Sequence, residues 1–205
     1  LGSSSAVIVS AIASAYAIEG IKVEKERLLN LSLAYESHPD NITPAVMGGF
    51  NVASVHENEV KFITKSIPRT LRAVVVVPNR PISTTLSRKT LPYKYSKEDT
   101  IFNISHSSLL TAAFMSENWE MLKYASADMV NQQFRMRHMP ELFEVQKTAL
   151  KNGALMSTLS GSGSTFFSVA YSEDSQKLEL ALKEKFPHFR VMSVDFDNNG
   201  VKIEI

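Results

Sequence analysis

Residues 1–18 read LGSSSAVIVSAIASAYAI, a glycine and three serines running straight into a long apolar stretch. Residues 5–18 predict a helix that is apolar almost all round and therefore buried, stopped by Gly20. Small residues ahead of a helix leave several first-turn amides free, at the positive end of the helix dipole. Phosphate is the natural ligand there. The alternative is that the serines simply cap a buried helix, and the stretch alone does not choose. It is not a Walker loop, because no Gly-Lys-Ser/Thr is present.

The apolar stretch 6–18 is shorter than the roughly 20 residues a membrane span needs, and no basic segment precedes it, as a signal peptide would require. With 205 residues, 44% of them hydrophobic, the chain can bury the core of one or two compact units. Lys and Arg total 22 against 21 Asp and Glu, for a net charge of +1. That balance argues against a strongly basic nucleic-acid binder and against an acidic disordered tail. The absence of cysteine removes disulfides and thiolate chemistry and fits a reducing cytoplasm. Leu1 stands directly before the glycine-serine cluster and reads as an interior starting point, so the chain is expected to be a fragment.

Further helices are predicted over 24–36, with Leu28, Leu31 and Tyr35 on its apolar stripe, and from a Thr43-Pro44 start to Gly48-Gly49. Strands are predicted over 50–56, 60–66 and 71–77. Loop-like sequence runs to about residue 99. Helices follow over 104–117, 119–134 and 141–151, then strands over 154–159 and 165–171 around Ser160-Gly161-Ser162-Gly163-Ser164, a helix over 175–185, and a hairpin of 190–196 with 201–205 about Asn198-Asn199-Gly200. The irregular alternation of strands and helices favours an α+β fold.

Three further features carry candidate chemistry. Glu36-Ser37-His38-Pro39-Asp40-Asn41 puts a carboxylate where Mg²⁺, a hard cation preferring oxygen, could be held beside a phosphate; an exposed turn is the plainer reading. The five histidines show no metal-ligand spacing. Arg80, Arg88, Arg135 and Arg137 could clamp a carboxylate bidentately, or make surface ion pairs. The glycines of 160–164 permit close backbone approach to a ligand, or a tight β-turn. Met129, Met136, Met139 and Met156 read as core fillers.

The order of these pieces resembles the GHMP small-molecule kinases, and within them the branch that acts on homoserine. Leu1-Gly2-Ser3-Ser4-Ser5 comes first, then Glu36, His38-Pro39-Asp40-Asn41-Ile42-Thr43-Pro44-Ala45 and Gly48-Gly49. Pro81-Ile82-Ser83-Thr84, Arg88-Lys89-Thr90-Leu91-Pro92, Arg135, Met139-Pro140-Glu141-Leu142 and the 160–164 loop follow. The resemblance implies a two-domain architecture. Residues 1–66 would be the remainder of an incomplete N-terminal ATP-binding domain, and 67–205 a C-terminal, ferredoxin-like half. It implies ATP- and Mg²⁺-dependent phosphorylation of the side-chain hydroxyl of L-homoserine, a step in threonine biosynthesis, by a homodimer.

By motif position, Gly2, Ser3, Ser4, Ser5, Gly161, Ser162 and Gly163 would face the nucleotide phosphates. Ser4 and Glu36 would ligate Mg²⁺. His38, Thr84, Arg88 and Arg135 would surround the amino-acid substrate, with the two arginines on its carboxylate. Asn41 would orient the reacting hydroxyl, and Asp40 is the alternative as a general base. The family loop reads Pro-x-x-x-Gly-Leu-Gly-Ser-Ser and this chain begins at its Leu. A missing N-terminal segment of the same polypeptide is therefore expected as a partner, and the 205 residues alone are expected to be inactive. The other readings are a GHMP kinase for a mevalonate-type or sugar substrate, and a non-catalytic binding module.

Overall fold

The computed structural model describes residues 1–80, 82, 87 and 89–203. These divide into two compact units, Leu1–Pro68 together with the segment from Phe196, and Arg69–Asp195. The sequence reading had grouped that last segment with the second part.

In the first unit, α1 (Ser3–Ile18), α2 (Lys25–Leu33) and α3 (Pro39–Met47) precede an antiparallel hairpin of β1 (Phe50–His56) and β2 (Glu59–Lys65). Their core comprises Val9, Ala13, Val23, Leu28, Leu29, Ile42, Val46 and Val60. The expectation that α1 is buried all round is wrong. Only Ser5, Val9 and Ala13, spaced one turn apart, are buried, whereas Val7 is 68% and Ile18 83% exposed. A stripe at i, i+4, i+8 is all that the neighbouring helices cover. The stripe of α2 likewise shifts to Leu28, Leu29 and Ser32, leaving Leu31 and Tyr35 exposed. Helix α3 starts at Pro39, with His38 extended before it, and not at Pro44. A proline suits the first helical position, where no N–H is needed. Pro44 lies inside the helix, and Thr43 Oγ1 donates to Pro39 O at 2.7 Å.

The predicted C-terminal hairpin is absent among the described residues. Residues 196–203 instead return to the end of α3: Gly49 N donates to Asp197 O at 2.8 Å and Val201 N to Val46 O at 3.2 Å. The Asn198 side chain pairs with both backbone groups of Ile67, accepting from N and donating to O at 2.8 Å each. Asp197 organises the turn by accepting from Asn199 N and Gly200 N.

The second unit holds β3 (Leu71–Val77), α4 (Lys97–Met115), a 3₁₀ turn (Trp119–Met121), α5 (Leu122–Ala125), α6 (Gln132–Met136), α7 (Glu141–Lys151), β4 (Met156–Leu159), β5 (Phe166–Tyr171), α8 (Ser172–Lys185) and β6 (Arg190–Val194). Its sheet runs β4-β5-β3-β6 with every pairing antiparallel. That is the strand order of a ferredoxin-like split βαβ. Helices α7 and α8 bury Leu142, Val145, Ala149, Leu178 and Leu182 against Val74, Val76, Phe166 and Ala170 of the sheet. Lys185 Nζ links these helices by donating to Glu144 Oε2 and Thr148 Oγ1, both at 3.0 Å. That hydrogen bond holds the Glu144 carboxyl below its ordinary pKa.

Two helix boundaries differ from expectation for local reasons. Ser96 caps α4, its Oγ accepting from Asp99 N at 2.9 Å, so the helix begins seven residues earlier than predicted. The single helix expected over 119–134 is broken at 126–131, where Asp128 takes up the backbone N–H groups of Val130, Asn131 and Gln132. Met136, Met139 and Met156 are buried, but Met129 is 37% exposed. No helix among the described residues is long and apolar enough to cross a membrane.

The return of residues 196–203 makes one glycine indispensable. A Cβ on Gly48 (φ 76°) would stand 2.5 Å from Asn198 C and Gly200 N, whereas one on Gly20 (φ 66°) meets nothing within 4 Å. Gly20→Ala is expected to lower stability by about 1 kcal/mol through backbone strain alone, and Gly48→Ala by more than about 2 kcal/mol. Chemical denaturation of the two variants compares them; equal losses would mean the return segment yields freely.

Candidate active site

The first helix supplies amides rather than side-chain caps. Gly2 precedes it in the left-handed conformation (φ 58°), with no side-chain capping bond, and Ala6 N to Gly2 O at 3.0 Å closes the first turn. The N–H groups of Ser3, Ser4 and Ser5 therefore precede the first intrahelical donor, Ala6 N, and have no acceptor within the helix. Ser3 and Ser4 are exposed and can offer hydroxyl and amide. Ser5 is 2% exposed, which leaves its backbone as the group for a ligand. An exposed anion at this end gains from both the amides and the dipole.

The start of α3 lies beside this turn. A Cβ on Gly2 would stand 3.5 Å from Asn41 Oδ1 and 3.9 Å from Asn41 Cβ. Two helix N-termini thus open at one place, each contributing positive potential. Asp40 occupies the first turn of α3 and is exposed, as are His38 and Asn41. Glu36 follows the end of α2, its N–H donating to Ser32 O at 3.1 Å. It is half-buried, and its carboxylate has no hydrogen bond or ion pair among the described residues. Within the first unit the structure therefore brings Gly2 and Asn41 together.

In the second unit the loop after β4 is a tight turn. Ser160 N donates to Thr165 O and Gly163 N to Ser160 O, both at 2.9 Å. Ser164 Oγ donates to Arg80 O at 2.8 Å, and Ser87 Oγ to Ser162 O at 2.9 Å. A Cβ on Gly163 would press on Leu159 at 3.2 Å and Ile82 at 3.4 Å, so that glycine is fixed by packing; at Gly161 the space is open. The turn and close-approach readings of this stretch are compatible: the backbone folds tightly and still presents one open glycine.

The arginines separate by environment. Arg80 makes a surface ion pair with Glu141, Nη2 to Oε2 at 3.6 Å, and Arg137 lies over the Phe134 ring at 5.2 Å. Arg135 donates from Nη1 to Gly161 O at 2.7 Å, which ties it to the glycine loop. Thr84 and Arg88 lie outside the described residues. Sequence reasoning missed the Asp128 hub and the side-by-side starts of α1 and α3. An Asp three residues before Asn131-Gln132 carries a weak capping signal; nothing local announces the second feature.

Residues 1–49 match the model of the GHMP kinases N terminal domain and residues 109–188 that of GHMP kinases C terminal. The chain is 82% identical over 205 residues to the homoserine kinase of Aliarcobacter butzleri, spanning all of this chain and 70% of that protein. It is 53% identical over 204 residues to the homoserine kinase of Helicobacter pylori, again covering 70% of it. Among solved structures, the homoserine kinase of Cytophaga hutchinsonii superposes with a TM-score of 0.89 at 25% identity, over 98% of this chain and 67% of that one. The mevalonate kinase of L. major superposes with a TM-score of 0.70 at 19% identity, over 96% of this chain and 66% of the other, and shares the fold.

Proposed function

The chain belongs to the homoserine kinase family of the GHMP kinases, and from that premise we propose that it transfers the γ-phosphoryl group of ATP to the side-chain hydroxyl of L-homoserine, in threonine biosynthesis. The observation that carries the reading is the closeness of Gly2 to Asn41, which joins a phosphate-binding turn to a polar group suited to an alcohol.

In the reaction a bond forms between the hydroxyl oxygen and the γ-phosphorus, and the bond to the β,γ-bridging oxygen breaks, releasing ADP. Little covalent help is asked of the protein; position and charge neutralisation carry the rate. The amides of Ser3, Ser4 and Ser5 hold phosphate oxygens, with Gly161, Ser162 and Gly163 as a second phosphate-facing loop. Asn41 orients the hydroxyl, whose proton passes late to a phosphoryl oxygen. His38, Thr84, Arg88 and Arg135 bind the amino acid, the arginines taking its carboxylate as a bidentate acceptor.

The Ser4 hydroxyl and the Glu36 carboxylate fit Mg²⁺, a cation commonly held by one or two carboxylates plus substrate phosphates. When bound, the ion would offset charge on the phosphates.

Three outcomes are expected. In an ADP-release assay against homoserine, mevalonate and galactose, only homoserine supports turnover; equal rates with another alcohol would overturn the substrate assignment. Glu36→Gln lowers kcat on the order of 100-fold or more while the melting temperature holds; near-normal kcat removes Glu36 from the metal site. Arg88→Lys and Arg135→Lys keep the charge but lose the fork, and raise homoserine KM about tenfold or more with ATP KM little changed.

A further inference from the structure

We propose that Asp128 is a positioning residue for Arg135, setting where its guanidinium stands against the glycine loop. The proposal rests on the reading of Arg135 as a homoserine-carboxylate ligand. Helix α6 carries Arg135 and has only five residues, Gln132–Met136. A helix that short does not hold itself together in water. Its N-cap residue, Asn131, makes no side-chain capping bond. The position of α6 is therefore set by what grips its two ends.

Met136 grips the far end, 1% exposed in the core of the second unit. Asp128 grips the near end. Its Oδ1 accepts from Val130 N at 2.7 Å, Asn131 N at 2.9 Å and Asn103 Nδ2 at 3.3 Å. Its Oδ2 accepts from Gln132 N, the first residue of α6, at 3.1 Å. Asn103 lies on α4, and its Oδ1 accepts from Met129 N at 2.7 Å. Tyr95 Oη donates to Val130 O at 3.0 Å. The segment is thus fastened to a long helix through one carboxylate and one amide.

Two bonds pass that placement to the glycine loop. Gln132 Oε1 accepts from Leu159 N at 2.9 Å, the last residue of β4 before the loop, and Arg135 Nη1 donates to Gly161 O at 2.7 Å. All four bonds to Asp128 come from neutral N–H groups of the chain, and it has no ion pair among the described residues. Both carboxylate oxygens are thus engaged in holding the chain, the work of a positioning group. Hydrogen bonds to an ionised carboxylate are among the stronger in a protein. A bidentate clamp is sensitive to displacements of about 1 Å.

The test is a double-mutant cycle in the active enzyme, read by steady-state kinetics for both substrates. Asp128→Ala is expected to raise homoserine KM about tenfold, with ATP KM within about twofold and kcat within about threefold. Asp128→Asn retains Oδ1 as an acceptor and is expected to restore most of that loss. In the Arg135→Lys background, where the clamp is already impaired, Asp128→Ala should change homoserine KM by less than about twofold. Equal increases in both KM values, or an undiminished effect in that background, would mean a general structural role and overturn the proposal. An unchanged homoserine KM in Arg135→Lys alone overturns the clamp itself, and the positioning role with it. Should Asp128→Ala fail to fold, Asn103→Ala, which cuts the tie between this segment and α4, carries the same cycle: a homoserine-specific rise that vanishes in the Arg135→Lys background supports the role, and none overturns it.

Discussion

The orphan amides of the first turn of α1 set the terms for the N-terminal unit. They follow a left-handed glycine that offers no side chain, so nothing in the turn itself satisfies them. Such amides need water or a ligand. What keeps them aimed is modest: one stripe of α1, Ser5, Val9 and Ala13, buried against a core that includes Leu28, Leu29, Ile42 and Val46. Because Ser5 belongs both to that stripe and to the turn, the packing of the helix and the aim of its first amides are coupled through one residue. The same core holds α3, and the start of α3 arrives next to Gly2 for that reason.

The second unit solves a different problem. Its sheet and the two helices on it form a dense core, and the residues of functional interest sit on short pieces at its margin: a five-residue helix and a tight loop. Short pieces have little stability of their own and take their geometry from side-chain bonds to backbone. Asp128, Asn103 and Gln132 do this around Arg135, and Ser87 and Ser164 do it around the loop. Hydroxyl, amide and carboxylate groups near a ligand site therefore need not touch the ligand to matter.

Much of the architecture was legible where a segment carries its own signal. The strand over 71–77 and the helix over 141–151 stand where the sequence pattern puts them. The Ser96-x-x-Asp99 cap was equally local and was overlooked. The break at 126–131 and the return of 196–203 were not legible in the same way, because each depends on partners distant in sequence: Asn103 for the first, Val46 and Ile67 for the second. The site divides likewise. A glycine-serine cluster before an apolar helix announces an anion, but its partner at Asn41 is a fact of packing. Arg135 and Arg80 look alike in their local composition; the family motif separates them, and so do their neighbours, Gly161 O and Glu141.

The choice between Asp40 as a base and a transfer without one can be weighed on the same grounds. A carboxylate in the first turn of a helix is stabilising by about 0.3–1 kcal/mol through the dipole, whatever else it does. Asp40 sits in that position on α3, exposed. Its place in the chain is thus accounted for by the helix it opens, before any proton is assigned to it. Asn41 has no such account: an exposed, uncharged amide as the third residue of α3 gains little from the dipole, yet it stands beside Gly2. A loose phosphoryl-transfer transition state places little demand on early proton removal. On the proposed reading an orienting amide at Asn41 would meet the chemical need, and the neighbouring carboxylate would serve the helix that presents it.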